Sequence, residues 1–165
     1  MTEILEIKIR PSESKDVEVI LGLIAQAPDA LLTVTPAEIQ SWIALGHSLV
    51  AEDSNGKVLG HQGLGHWQQS NLAELRAAYV DPSARGKGIN TLMKKEMIKR
   101  AKEMYPDSAI IGFTEAASKS RGILTKLGFI DLSLDAAPQE LFSICPANCY
   151  KKTGIDCGCK IFIKK

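Results

Sequence analysis

Leu5, Ile7 and Ile9 alternate with Glu6, Lys8 and Arg10, the period of a half-buried strand, and Pro11 closes it. The period then lengthens. Val17, Ile20, Leu21, Leu23 and Ile24 recur at helical spacing and predict a helix ending near Pro28. Thr35-Pro36-Ala37-Glu38 reads as a capping box with proline at the first helical position, so a second helix runs through Ile39 and Trp42 to Gly46. Strands over Ser48 to Glu52 and Val58 to Trp67 flank Ser54-Asn55-Gly56-Lys57, whose Asn-Gly pair signals a hairpin. Leu72 to Val80 is the next strand, and Ile89, Leu92, Met93, Met97 and Ala101 mark one face of a long helix. Beyond it come a buried strand over Ala109 to Phe113 and a helix over Ser118 to Leu127 stopped by Gly128. Phe129 to Leu134 and Ile161-Phe162-Ile163 read as the last strands. The order βααβββαβαβ plus that final strand predicts one mixed α/β domain over residues 1–165, with a tail from 138 to 165 completing the sheet.

Composition narrows the partners. Of 165 residues, 20 are Lys or Arg and 19 are Asp or Glu, a balance that draws neither nucleic acid nor an anionic membrane. The first residues are charged and no apolar run approaches a membrane span, so a cytoplasmic protein is expected.

The densest chemistry sits where the apolar strand reaches Asp81-Pro82 and runs into Arg85-Gly86-Lys87-Gly88-Ile89-Asn90. A glycine-rich turn opening a helix is an anion site, because the first helical N–H groups have no partner and point outward. Arg85 and Lys87 add positive charge there. The stretch lacks the terminal Gly-Lys-Ser/Thr of a Walker loop and the third glycine of a dinucleotide fingerprint. Glu74 lies inside the preceding strand, where a carboxylate must be paired, protonated or facing a wet cleft. Arg76 is two residues on and shares its face. Glu74 is therefore either a base or the partner of Arg76, and Arg76 either a clamp for a substrate carboxylate or an internal ion-pair member.

All four cysteines, Cys145, Cys149, Cys157 and Cys159, fall near the C-terminus. Their spacings are off the usual zinc knuckle, so three readings stand: a structural zinc, reduced thiols packing the tail, or a disulfide.

The loop resembles the acetyl-CoA pyrophosphate loop of the GNAT superfamily of N-acetyltransferases, Arg/Gln-x-x-Gly-x-Gly/Ala, with Asn90 in the final small-residue position. Lys126-Leu127-Gly128-Phe129 resembles that family's Leu-Gly-Phe signature, and the likeness covers roughly residues 5–135. It implies a central mixed, largely antiparallel sheet of six to seven strands with flanking helices. It also implies that Arg85, Gly86, Lys87, Gly88, Ile89, Asn90 and Thr91 grip acetyl-CoA. Ala78, Tyr79 and Val80 contact it from the strand, with the N–H groups of Ala78 and Val80 meeting pantetheine and the thioester oxygen. Glu74 stands where family members carry a general base. His61 and His66 lie on the strand that can border the acceptor cleft, and His66 is either a substrate-side base or lid or a structural residue. The family's acid tyrosine has no counterpart, because its slot holds Leu124, and Ala117 replaces an asparagine often found near that helix's start.

Pro138-Gln139-Glu140-Leu141-Phe142, then the cysteine cluster, is similar to the short N-acetylglutamate-synthase-like members. The implied activity is acetyl transfer from acetyl-CoA to the primary amine of a small molecule, foremost the α-amino group of an amino acid such as glutamate. The alternative is a catalytically weak module binding CoA or an amino acid for regulation. A monomer or homodimer is expected.

Overall fold

The structure, a computed structural model, describes residues 6–26, 34–114, 120–143 and 159–165. Its strands are β1 (Lys8–Pro11), β2 (Ser48–Glu52), β3 (Val58–Trp67), β4 (Leu72–Val80), β5 (Ala109–Thr114), β6 (Ile130–Leu132) and β7 (Lys160–Lys164). Its helices are α1 (Val17–Ala25), α2 (Pro36–Ala44), α3 (Ile89–Met104) and α4 (Ser120–Lys126). The element order is the one the hydrophobic pattern predicts. β6 is shorter than expected because Ser133 starts a turn, its carbonyl accepting from Ala136 N–H at 3.0 Å. Three short 3-10 turns, Ser14–Asp16, Pro82–Ala84 and Gln139–Phe142, were not legible as helix.

The sheet runs β1-β2-β3-β4-β5-β7-β6. β1–β2, β2–β3, β5–β7 and β6–β7 pair antiparallel, whereas β4 and β5 are parallel. This is the mixed, largely antiparallel seven-stranded sheet that the family resemblance implies. Among the described residues no helix is long and apolar enough to cross a membrane.

The chain divides into two compact units, Met1–Leu64 with Ala77–Lys99, and Gly65–Arg76 with Arg100–Lys165. In the first, Thr35 caps α2 as predicted: Glu38 N–H donates to its Oγ1 at 3.2 Å and Thr35 N–H donates to Glu38 Oε2 at 2.7 Å. The apolar stripes of α1 and α2, Ile20, Leu23, Ile24, Ile39 and Trp42, pack against Val50 and Val58. A separate cluster joins Ile89 and Met93 of α3 to Ala51, Leu59 and Ala84. Arg10 grips both oxygens of Asp16 (2.7 and 3.0 Å) and Oε2 of Glu52 (2.7 Å), tying β1 to the turn before α1. Burial pushes the Asp16 carboxyl up, but the Arg10 and Glu13 N–H bonds outweigh it and hold the acid below its ordinary value.

In the second unit, Leu72, Ile111, Leu141, Phe142 and Ile161 form the core. α4 ends in a Schellman arrangement: Phe129 N–H donates to Leu124 O and Gly128 N–H to Thr125 O, both at 3.0 Å. Leu124 and Phe129 are buried beside it, which explains why Leu-Gly-Phe follows a helix.

One charge in the first unit is buried without a counter-ion among the described residues. Lys94 of α3 donates to Gln62 Oε1 at 3.2 Å, and burial lowers its ammonium from 10.5 to about 8. The folded state therefore binds fewer protons than the unfolded chain between these values, so stability rises with pH from about 8 to about 10.5. Lys94→Met should remove that dependence and stabilise the protein at pH 7 by about 3 kcal/mol. Urea denaturation of both proteins across that pH range checks it; parallel curves would show that Lys94 retains its ordinary proton affinity.

Candidate active site

β4 is the strand from which the site is built. Its parallel ladder with β5 runs from Leu72 opposite Ala109 to Leu75 opposite Gly112 and stops there, although β4 continues to Val80. Two residues past the last rung, Ala77 adopts φ +49°, a left-handed conformation that an alanine adopts only under constraint. Strict alternation of faces ends at this residue, so the face of Tyr79 does not follow from that of Glu74. Tyr79 is placed by its own contacts, against the α1–α2 cluster, and Val80 packs on the Ile89–Met93 cluster.

Beyond β4 the Asp81 carboxylate turns inward on its own loop. Its Oδ1 accepts from Ser83 N–H (2.9 Å) and Ser83 Oγ–H (2.5 Å), bonds that hold the carboxyl below its usual value. Gly86 and Gly88 both take φ +78°, which a residue with a Cβ adopts only with strain, and Leu92 N–H closes the first helical turn onto Gly88 O at 3.1 Å. The N–H groups of Ile89, Asn90 and Thr91 precede that turn and have no intrahelical acceptor. The first turn of α3 carries no acid, while Arg85 and Lys87 are exposed. Arg85 Nε also braces the loop by donating to Val80 O at 3.1 Å. Loop, dipole and cations together make an anion cradle.

Glu74 and Arg76 belong to the second unit. Glu74 is buried, and its Oε2 accepts from Trp67 Nε1 (2.8 Å) and Arg76 Nη2 (2.5 Å). Both bonds end on one oxygen. The structure thus realises the ion pair between Glu74 and Arg76. The Arg76 guanidinium also lies over the Trp67 ring, 5.6 Å from its centroid. It occupies the space above Gly65, where a Cβ would overlap it. Gly65 is a neighbour of the pair that the sequence reading missed; a glycine inside a strand is the signal of such a close approach.

His66 is not brought to that face. Its ring stacks on Tyr105 at 3.9 Å and its Nε2 meets Ser108 Oγ at 3.3 Å, which in turn donates to Asn71. The expectation that His66 touches substrate gives way to its structural alternative, because the residue before Trp67 must point to the opposite side of the strand. Leu124 is buried against Gly112, so the tyrosine slot is filled by packing. Cys145, Cys149 and Cys157 lie outside the described residues. Cys159 is half-buried beside β7, and no group of three or more potential metal ligands occurs among the described residues, which leaves the zinc expectation without support.

A family model for the acetyltransferase (GNAT) family matches residues 19–129, two-thirds of the chain. The chain belongs to the GNAT family. It is an N-acetyltransferase by that membership, and no curated protein matches its sequence. Solved structures share the GNAT fold. Rv2747 from Mycobacterium tuberculosis, in complex with CoA and NLQ, superposes with a TM-score of 0.71 at 21% identity over 94% of this chain and 97% of its own. N-acetylglutamate synthase from Neisseria gonorrhoeae, complexed with coenzyme A and N-acetyl-glutamate, gives 0.76 at 19% identity over 96% of this chain. The GNAT chain spans only 35% of that synthase. The yncA protein of Salmonella typhimurium, with its cofactor acetyl-CoA, gives 0.71 at 19% identity over 96% of this chain and 93% of its own.

The departure at Asn90 has a structural consequence. Its Oδ1 is buried without a hydrogen-bond partner among the described residues. Asn90→Ala, which restores the family's small side chain, should raise stability by about 1 kcal/mol. Thermal denaturation checks it, and a lowered midpoint would mean that the amide is held by a bond.

Proposed function

We propose that this GNAT enzyme transfers the acetyl group of acetyl-CoA to the α-amino group of a free amino acid, with glutamate the leading candidate. The observation that carries the acceptor class is the Glu74–Arg76 pair. A carboxylate and a guanidinium held side by side complement a zwitterion, whose ammonium suits the first and whose carboxylate suits the second. An entering amino acid adds its ammonium at Glu74 and its carboxylate at Arg76 beside the internal ion pair, which stays on Oε2. The fold shared with an N-acetylglutamate synthase supports the same class.

Residues 85–91 suit the pyrophosphate of acetyl-CoA through backbone N–H groups and the charges of Arg85 and Lys87. The N–H groups of Ala78 and Val80 are assigned to pantetheine and the thioester oxygen. Glu74 takes a proton from the substrate ammonium, through Oε1 or a water, since Oε2 already accepts two bonds. The amine then attacks the thioester carbon and an N–C bond forms. The carbonyl oxygen carries the negative charge in the tetrahedral intermediate, where backbone donors stabilise it. The C–S bond breaks, CoA leaves as thiolate, and the nitrogen's second proton passes to solvent.

Release of CoA across a panel of amino acids, polyamines and peptides tests the acceptor. Turnover should be confined to free amino acids, and activity only with polyamines or peptides would refute the choice. Glu74→Gln should lower turnover by a factor on the order of 10²–10⁴ with acetyl-CoA affinity nearly unchanged. Near-normal turnover at saturating substrates would leave Glu74 as the structural partner of Arg76.

A further inference from the structure

His61 is completely buried on β3 and has a defined partner for each ring nitrogen. Nδ1 lies 2.8 Å from Ala77 O, and Nε2 lies 3.0 Å from Ser48 Oγ. Ser48 Oγ in turn lies 2.8 Å from Ser12 Oγ, and the ring stacks on Trp42 at 6.1 Å with an interplanar angle of 10°. A carbonyl can only accept, so Nδ1 carries the hydrogen. The neutral ring then accepts at Nε2 from the Ser48 hydroxyl, and Ser48 accepts from Ser12. The relay Ser12–Ser48–His61–Ala77 thus has one direction, ending on the carbonyl of the residue with the left-handed backbone.

We propose that His61 is a positioning residue that holds the Ala77–Ala78 peptide so that the Ala78 N–H points away from β3 and toward the acyl group. The argument rests on planarity. In a trans peptide the C=O of Ala77 and the N–H of Ala78 point in opposite directions, so drawing the carbonyl onto His61 aims the N–H the other way. Ala77 resists its φ of +49°, and the His61 bond is what opposes relaxation of the strand at that point. Burial lowers the His61 imidazolium to about 4, so the ring stays neutral and the tautomer constant at neutral pH. This inference rests on the reading that the Ala78 N–H meets the thioester oxygen.

His61→Phe keeps a ring against Trp42 and removes the donor; His61→Asn restores an N–H near the Nδ1 position. His61→Phe should lower kcat about 100-fold, the effect of one lost oxyanion donor, while CoA, which lacks the acyl oxygen, binds as before. His61→Asn should recover at least about 10-fold of that loss. Ser48→Ala, which leaves His61 in place, should give a smaller fall in kcat in the same direction. NMR supplies an arm independent of activity. The ¹⁵N shifts should show Nδ1 protonated in the wild type, and the HN–Hα coupling of Ala77 should move to an extended-strand value in His61→Phe.

A hydrogen on Nε2, or a folded His61→Phe with kcat within threefold of wild type, would overturn the proposal. If His61→Phe does not fold, the tautomer and the Ser48→Ala turnover decide. A wild type that releases no CoA with any amine would defeat the acetyl-transfer reading, leaving the NMR arm to judge whether His61 holds Ala77.

Discussion

The site depends on one constraint: β4 is a regular sheet strand against β5 at one end and leaves that ladder at the other. An ordinary strand satisfies its backbone on both sides, and such backbone has nothing to offer a ligand. The parallel rungs with β5 end at Leu75, and Ala77 then leaves the β region. Everything assigned to acetyl-CoA on this strand lies after that break, and everything assigned to the amine lies before it. The same chain can do both because a left-handed residue resets which groups face which way at the cost of roughly 1–3 kcal/mol of local strain. Burying His61 with both ring nitrogens satisfied is consistent with the fold maintaining that strain.

Buried charge is handled in two ways. Glu74 is surrounded by donors of the right kind, an indole N–H and a guanidinium. Lys94, equally buried, is given a neutral amide oxygen and a depressed proton affinity. The contrast bears on function. In the function proposed above, a ligand that meets the carboxylate also meets the arginine beside it. That pairing is what the proposed amino-acid acceptor rests on.

Much of this was legible in the residues because the signals were local. Thr35 to Glu38, Asn55-Gly56 and Leu127-Gly128-Phe129 each specify a cap or turn through their own chemistry, and each occurs where that chemistry places it. The glycines of the anion loop announced φ values that the structure has. The unread features are non-local. Nothing in Ala77 itself predicts a left-handed backbone, since alanine is a poor residue for it, and the side chain that meets its carbonyl, His61, lies sixteen positions earlier. The stacking of His66 on Tyr105 likewise joins residues far apart in the chain, so the histidine nearest to Trp67 was given a site role while the one behind Ala77 was not.

The absent acid follows from the same packing. Leu124 stands where the family often has tyrosine, and its methyl groups fill the space above Gly112, so that position offers no proton donor. A departing amide or alkoxide would need a proton donor there. A thiolate does not, because a thiol of pKa near 8.5 is already a stable anion close to neutral pH and takes its proton from water after leaving. The demanding proton transfer is on the other side of the reaction, at the ammonium, whose proton must be lost before attack. In the proposed reaction that proton falls to Glu74, a buried carboxylate whose Oε2 is anchored by Trp67 and Arg76.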